Sequence, residues 1–382
     1  MPMQNRETLF KELPQLLLPW YRQNKRDLPW RKNKNPYRIL VSEVMLQQTR
    51  VEAVIHKYNN FMEKLPTIED LANCPEQELL KLWEGLGYYS RAKNLQKAAQ
   101  EIVQNGFARE AKELIKLKGV GSYTAGAIAS IAFEEKAPAV DGNVIRVLSR
   151  YLHDALPQDL LREQYFIELQ PIYPTGNCGD FTQSLMELGA TICTPKSPSC
   201  LACPLLANCQ TRDASLPLKK EKVIQKEEEY ILLLFHDRND IALIQRQTGV
   251  LKNLFGFYML ENKLLQKKIS NTAIHNRISQ LDNVLQENEV DRRKHIQPSK
   301  TDIEKYLQEF ALNNYIIDDV KIHKHIFTHI IWHMFAYPIY LPNCKNQLKN
   351  LPDFQELQFF DKPFIQKNIS LPSAFRWCLK YI

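Results

Sequence analysis

Residues 193–209 read CTPKSPSCLACPLLANC and hold four of the chain's eight cysteines, in the spacing C-x6-C-x2-C-x5-C. Cys74, Cys178, Cys344 and Cys378 are scattered and read as ordinary free thiols. Clustered thiols can pair as disulfides, hold zinc, or hold an iron–sulfur cluster. The opening MPMQNRETLF lacks the apolar stretch of a signal peptide, so a cytoplasmic protein is expected, where structural disulfides are rare. Structural zinc usually takes two tight cysteine pairs. Here one tight pair, Cys200 and Cys203, is flanked by single Cys193 and Cys209 in loops broken by Pro195, Pro198 and Pro204. One pair with two single thiolates suits a cube of four irons, each taking one thiolate. The spacing favours the cluster and leaves zinc open.

Two carboxyls stand in settings that could tune them. Glu43 falls in a helical stretch, on one face with Ile39, Leu40, Leu46 and Gln47. A carboxyl on a largely apolar face has its pKa raised by desolvation; the plain alternative is a solvated helical glutamate. Asp141 in PAVDGNVIRVLSR reads as a helix N-cap, where backbone N–H groups and the helix dipole keep it ionised. Capping alone, worth about 1 kcal/mol, would also account for it.

These groups need elements to hold them. LIKLKGVGSYTAGAIASIAF predicts a helix, a tight turn through Gly119 and Gly121, and a second helix packed by small residues. The first N–H groups of that second helix suit an anion such as a DNA phosphate, unless the hairpin only turns a corner. RAKNLQKAAQEIV places Ala92, Leu95, Ala99 and Ile102 at helical spacing, and SEVMLQQTRVEAVIHKYNNFMEKL continues in that style to Pro66. Residues 212–229 are charged and lack an apolar period, so a linker is expected there. Beyond it YILLLFH, DIALIQRQ and HIFTHIIWHMFAYPIYL read as strands. The chain is thus expected to be multidomain: an all-helical domain over residues 1–211, a linker over 212–229, and a smaller α/β domain over 230–382. At 382 residues two cores are the default, and 44% hydrophobic with 24% charged residues is a globular composition. No apolar run reaches bilayer length, so no membrane partner is expected. A net charge of +7 leans towards nucleic acid.

A helix–hairpin–helix, then Asp141, then the four spaced cysteines resemble the base-excision DNA glycosylases of the endonuclease III superfamily. Within it, LPWR (28–31), VSEVMLQQTRV (41–51), WEGLGYYSRAKNL (83–95) and MELGATIC (186–193) resemble the adenine DNA glycosylases of the MutY type. The resemblance implies a monomeric enzyme that removes adenine opposite 8-oxoguanine or guanine in double-stranded DNA. It implies a [4Fe–4S] cluster on Cys193, Cys200, Cys203 and Cys209, bracing a loop whose Lys196 contacts phosphate. Glu43 becomes the acid that protonates adenine, and Asp141 the carboxylate that stabilises the oxocarbenium-like sugar. Asn143 and Tyr123 complete the catalytic site. Lyases of the superfamily carry a lysine where Tyr123 stands, and none occurs from Ser122 to Phe133, so a monofunctional glycosylase is implied. Arg26, Trp30, Arg31 and Glu187 match the adenine pocket. Gln48, Thr49, Leu86 and Tyr88 match positions that enter or flank the duplex when the base is flipped, with Gly119 and Gly121 on the backbone.

Residues 230–382 resemble the C-terminal domain of the same family, which has a Nudix-like fold and recognises 8-oxoguanine. GVLKNLFGFYMLE lies where the diphosphatase motif would begin, but its run of metal-binding glutamates does not follow, so nucleoside diphosphate hydrolysis is not expected. The family's recognition tip corresponds to Phe327, Thr328 and His329. His325, His329 and His333 recur every four residues, yet their β-branched and aromatic neighbours favour strands, where the imidazoles need not converge on a metal. Two other readings compete: an endonuclease III-like enzyme for oxidised pyrimidines, and a non-catalytic DNA-binding protein.

Overall fold

In a computed structural model that describes residues 5–218, 225–263, 265 and 297–382, the chain divides into two units, Met1–Glu221 and Lys222–Ile382. Among the described residues no helix is long and apolar enough to cross a membrane.

Among its described residues the first unit is built of helices. Helix α1 (Arg6–Asn24), capped by Asn5, comes first in sequence but packs with the last helices of the unit. Its Leu9, Phe10, Leu13 and Leu17 share a core with α9 (Gly142–Leu152), α10 (Gln158–Leu169) and α11 (Cys178–Thr191). Opposite them α2 (Pro36–Leu46) packs on α3 (Val51–Lys64), α6 (Ser90–Asn105) and α8 (Ser122–Phe133). Short α4 (Ile68–Asn73) and α5 (Glu76–Leu82) close the outside, and α4 starts from a Thr67–Asp70 capping box. α8 is small-residue rich and buried on most sides, because it packs on both α2 and α11.

Two local expectations are corrected. The helical run through SEVMLQQTRVEAV breaks after Leu46 and restarts at Val51, with Gln48 in the left-handed region at φ 55°. The hairpin's first helix shrinks to a single turn, α7 (Ala111–Leu114), before the chain enters the turn. Gly119 sits there at φ +80°, and a Cβ would lie 2.6 Å from Asn94 Cβ. Both the conformation and the close approach to α6 require glycine. Gly121 is the N-cap of α8 and faces open space.

Among its described residues the second unit is built on an eight-stranded mixed sheet. β1 (Lys226–His236) and β7 (Ile330–Tyr340) run parallel at its centre, in register from Lys226 beside Ile330 to His236 beside Tyr340. β2 (Ile241–Gln245) turns back from β1 and carries β3 (Phe255–Gly256) and β8 (Leu357–Phe360). β4 (Tyr258–Glu261) also pairs with β1, while β5 (Ile316–Ile317) and β6 (Lys321–Ile326) pair with β7. Alternate β1 residues serve two cores. Ile231, Leu233 and Phe235 meet the helix Lys300–Gln308, and Leu232 and Leu234 meet Trp332, Met334 and Phe375. Burial on both faces explains the unbroken apolar run YILLLF.

The first strand begins at Lys226, inside the stretch expected to be linker. Pairing with β7 supplies the backbone partners, and Glu228 accepts hydrogen bonds from Trp332 Nε1 (3.1 Å) and Tyr230 Oη (2.9 Å). Of the expected linker, residues 219–224 lie outside the described residues. So do residue 264 and residues 266–296, in the stretch where diphosphatase glutamates would stand.

Candidate active site

The break between α2 and α3, the N-termini of α8 and α9 and the middle of α11 surround one open cavity of ≈ 580 Å³. Glu43, Tyr123, Asp141 and Asn143 line it. So do Arg26, Trp30, Arg31 and Glu187, with Gln48, Thr49 and Gly121 at its margin.

Glu43 projects from α2 and is 6% exposed. Burial is the largest influence on its carboxyl and pushes its pKa up to about 7, helped by the negative charge of Asp141. Tyr123 Oη, from the first turn of α8, donates to Glu43 Oε2 at 2.6 Å and, with Arg31, pulls the other way. The same hydroxyl lies 3.8 Å from Met186 Sδ. Burial between two carboxylates drives the Tyr123 hydroxyl well above its usual range, so it remains a donor.

Asp141 caps α9 as expected, its Oδ1 accepting from Val144 N at 2.8 Å and its Oδ2 from Asn143 Nδ2 at 2.7 Å. Its net shift is nevertheless upward, since burial outweighs the hydrogen bonds that favour the anion. The sequence showed the cap but not the burial. Asn143 passes the contact on: its Oδ1 accepts from Arg146 Nη2 at 2.7 Å, and Arg146 Nε donates to Cys193 O at 2.7 Å. Gly189 of α11 permits this approach, for a Cβ there would stand 2.6 Å from Asn143 Cβ.

Glu187 is wholly buried and gathers both arginines expected near it. Arg26 donates through Nε (2.8 Å), Nη2 (2.9 Å) and its backbone N (2.9 Å), and Arg31 through Nη2 (2.8 Å). Burial alone would raise the Glu187 pKa; the two guanidinium groups outweigh it and draw it down to about 2. Trp30 is buried with its ring edge-on to Tyr58, centroids 5.3 Å apart.

Gln48 and Tyr88 are exposed, both at positive φ (55° and 45°). Thr49 Oγ1 reaches Leu86 O at 3.5 Å. Leu86 itself is 5% exposed, so its carbonyl rather than its side chain faces this loop. Lys196 is exposed on the cysteine loop. Cys193, Cys200, Cys203 and Cys209 all line a second, small cavity; burial raises the Cys203 and Cys209 thiols, and the nearby Cys193 and Cys200 add to the rise in both. Arg150, buried on α9, reaches Cys193 Sγ (3.4 Å), Thr194 O (2.8 Å) and Leu216 O (2.7 Å). Among the described residues no three cysteine, histidine or carboxylate groups gather as they would on a single ion.

In the second unit Phe327, Thr328 and His329 form the turn joining β6 to β7. Thr328 and His329 are exposed, while Phe327 packs edge-on to Trp332 at 4.8 Å and to His325 at 4.6 Å. Gln225 Nε2 donates to the carbonyls of Phe327 (2.7 Å) and Thr328 (3.2 Å). His325 and His333 stand on different strands, and His333 meets Glu227 at 3.2 Å.

Sequence reasoning missed Arg146, Arg150 and Arg91. The first two had a signal, two arginines four apart on a mostly apolar helix ahead of the cysteines.

Residues 41–168 match the model of the HhH-GPD superfamily base excision DNA repair protein family, a span that includes Glu43, Tyr123, Asp141 and Asn143. The chain is 36% identical over 264 residues to an adenine DNA glycosylase of Buchnera aphidicola subsp. Schizaphis graminum, covering 65% of this chain and 75% of that one. The chain belongs to the adenine DNA glycosylase family. Adenine DNA glycosylases of Arabidopsis thaliana and Homo sapiens are each 46% identical, over 225 and 212 residues and 51% of this chain. The chain covers only 36% and 38% of these longer family members.

Proposed function

We propose that this chain removes adenine mispaired with 8-oxoguanine or guanine from double-stranded DNA, by hydrolysis of the N-glycosidic bond. The observation that carries the reading is Glu43, a buried carboxyl with its pKa pushed up to about 7, across one cavity from Asp141, the N-cap of α9. Adenine leaves poorly as an anion. Glu43 gives its proton to the extruded base, the bond to the sugar breaks, and adenine departs neutral. The Asp141 carboxylate faces the positive charge left on the sugar, held in place by Val144 N and Asn143. Water then adds to the sugar carbon, and its released proton restores Glu43. Tyr123 fills the position from which a lysine amine would attack, and Ser122–Phe133 contains no lysine, which supports a monofunctional enzyme that leaves an abasic site.

The four thiols that share a cavity fit a [4Fe–4S] cluster at one thiolate per iron. Cys193, Cys200, Cys203 and Cys209 would hold it, and with it residues 193–209 would be braced against α9, where Arg150 already reaches Cys193 Sγ and Thr194 O, leaving the exposed Lys196 free to meet a phosphate. The exposed Thr328 and His329 on the β6–β7 turn support a Nudix-like second unit that reads 8-oxoguanine.

Duplexes with adenine opposite 8-oxoguanine, adenine opposite guanine, or an oxidised pyrimidine, each with and without alkali, test the proposal. Strand breakage only after alkali and only on the adenine duplexes is expected. Breakage without alkali on the pyrimidine duplex indicates an endonuclease III-like lyase instead, and no base release on any duplex indicates a binding protein.

A further inference from the structure

Arg91, the second residue of α6, lies between the two loops that carry Gln48 and Tyr88. Its Nη1 donates to Val44 O (2.8 Å), Met45 O (3.2 Å) and Gln47 O. Its Nη2 donates to Thr49 Oγ1 (3.2 Å), Leu86 O (2.8 Å) and Gly87 O (3.3 Å). The guanidinium lies 5.6 Å from the ring centroids of both Trp83 and Tyr88, and the Arg91 backbone N–H donates to Tyr88 O at 2.8 Å. The end of α2 leaves carbonyls without helical partners at the negative end of its dipole, a natural seat for a cation. Left-handed backbone at a glutamine and a tyrosine is unfavourable alone and persists only where neighbours hold it. Here the residues on both sides of Gln48 and those before Tyr88 are tied to one planar fork.

We propose that Arg91 is a positioning residue that joins these loops into one rigid device, so that Gln48 and Tyr88 enter the duplex together when the base is extruded. The proposal rests on the adenine glycosylase reading for the identity of the DNA but adds the coupling. Arg91 need not touch the DNA. Lysine would keep the charge but could not bridge both loops, because it lacks the fork.

The test is a double-mutant cycle on the full chain, with Gln48→Ala and Tyr88→Ala made in wild type and in Arg91→Lys. Affinity for an A:8-oxoguanine duplex and single-turnover adenine release are both read. In wild type the double variant should lose little more than the worse single variant, because either loss disables the joint device. In Arg91→Lys the two losses should multiply. Arg91→Lys alone should slow adenine release at least tenfold, while its rate still falls above about pH 7, since Glu43 is untouched. Losses that multiply in wild type, or the same coupling in Arg91→Lys, would overturn the proposal. Arg91→Gln, also planar but neutral, replaces lysine in the cycle if that variant does not fold. If wild type releases no adenine, the function reading fails, and the affinity cycle still decides whether Arg91 couples the loops.

Discussion

Replacing Tyr123 with phenylalanine removes one hydroxyl from the buried carboxyl at the centre of the cavity. That hydroxyl donates to Glu43 Oε2 at 2.6 Å, a bond stronger to the carboxylate than to the neutral acid. Without it, burial and the charge of Asp141 act on Glu43 opposed only by Arg31. A hydrogen bond to a charged group contributes roughly 1.5–3 kcal/mol, and about 1.4 kcal/mol is a tenfold change in proton affinity. Tyr123→Phe should therefore move the Glu43 titration up by about one to two pH units. Since the protonated form acts, single-turnover adenine release in wild type should fall about tenfold per pH unit above roughly pH 7. In the variant that fall should begin later, whatever the maximum rate becomes. Release measured from about pH 5 to about pH 9.5 decides the matter. A falling limb at the same pH as wild type, or a lower one, would mean that the Tyr123 hydroxyl does not set the Glu43 titration.

Glu187→Gln leaves Arg26 and Arg31 facing a neutral amide in a buried site. A loss of about 3 kcal/mol is expected, at the low end for a broken buried pair because Arg26 is one-third exposed; denaturant unfolding of the full chain measures it. With Glu187 drawn from 4.5 to about 2, its contribution is complete above the ordinary carboxylate range and disappears as pH falls through about 2. Wild type should contain about four irons and four sulfides per chain, and Cys203→Ser should lose both with weaker duplex binding; elemental and sulfide analysis checks this, and stoichiometric zinc without sulfide contradicts it. Thr328→Ala should reduce the preference for A:8-oxoguanine over A:G by about fivefold, near 1 kcal/mol of base discrimination, while Thr328→Ser retains it; single-turnover rates on both mispairs measure the ratio.

What was legible in the sequence was local or strongly typed. The Asp141 cap, the glycine turn and the thiol spacing each depend on a few neighbouring residues, as does the apolar face around Glu43. What escaped depends on contacts between distant segments. Burial of Asp141 comes from helices packed around it; Arg26, Arg31 and Glu187 were expected in one pocket by resemblance, but their ion pairing, which closes across more than 150 positions, was not. The break at Gln47–Arg50 leaves no proline or glycine in the sequence; tertiary hydrogen bonds from Arg91, itself an unremarked cation in a helical run, hold its backbone. Lys226–Glu229 looked like solvated linker because the ladder partner that makes them a strand lies about a hundred residues away.

Glu43 supplies the proton on which adenine departs in the mechanism proposed above. Glu43→Gln keeps the size and the hydrogen bond to Tyr123 but has no transferable acidic proton. Free adenine released in a single turnover from an A:8-oxoguanine duplex, measured beside duplex affinity in the same samples, tests this most directly. Release should fall by at least about a thousandfold, with affinity kept near that of wild type. Release within about tenfold of wild type at matched affinity would contradict it.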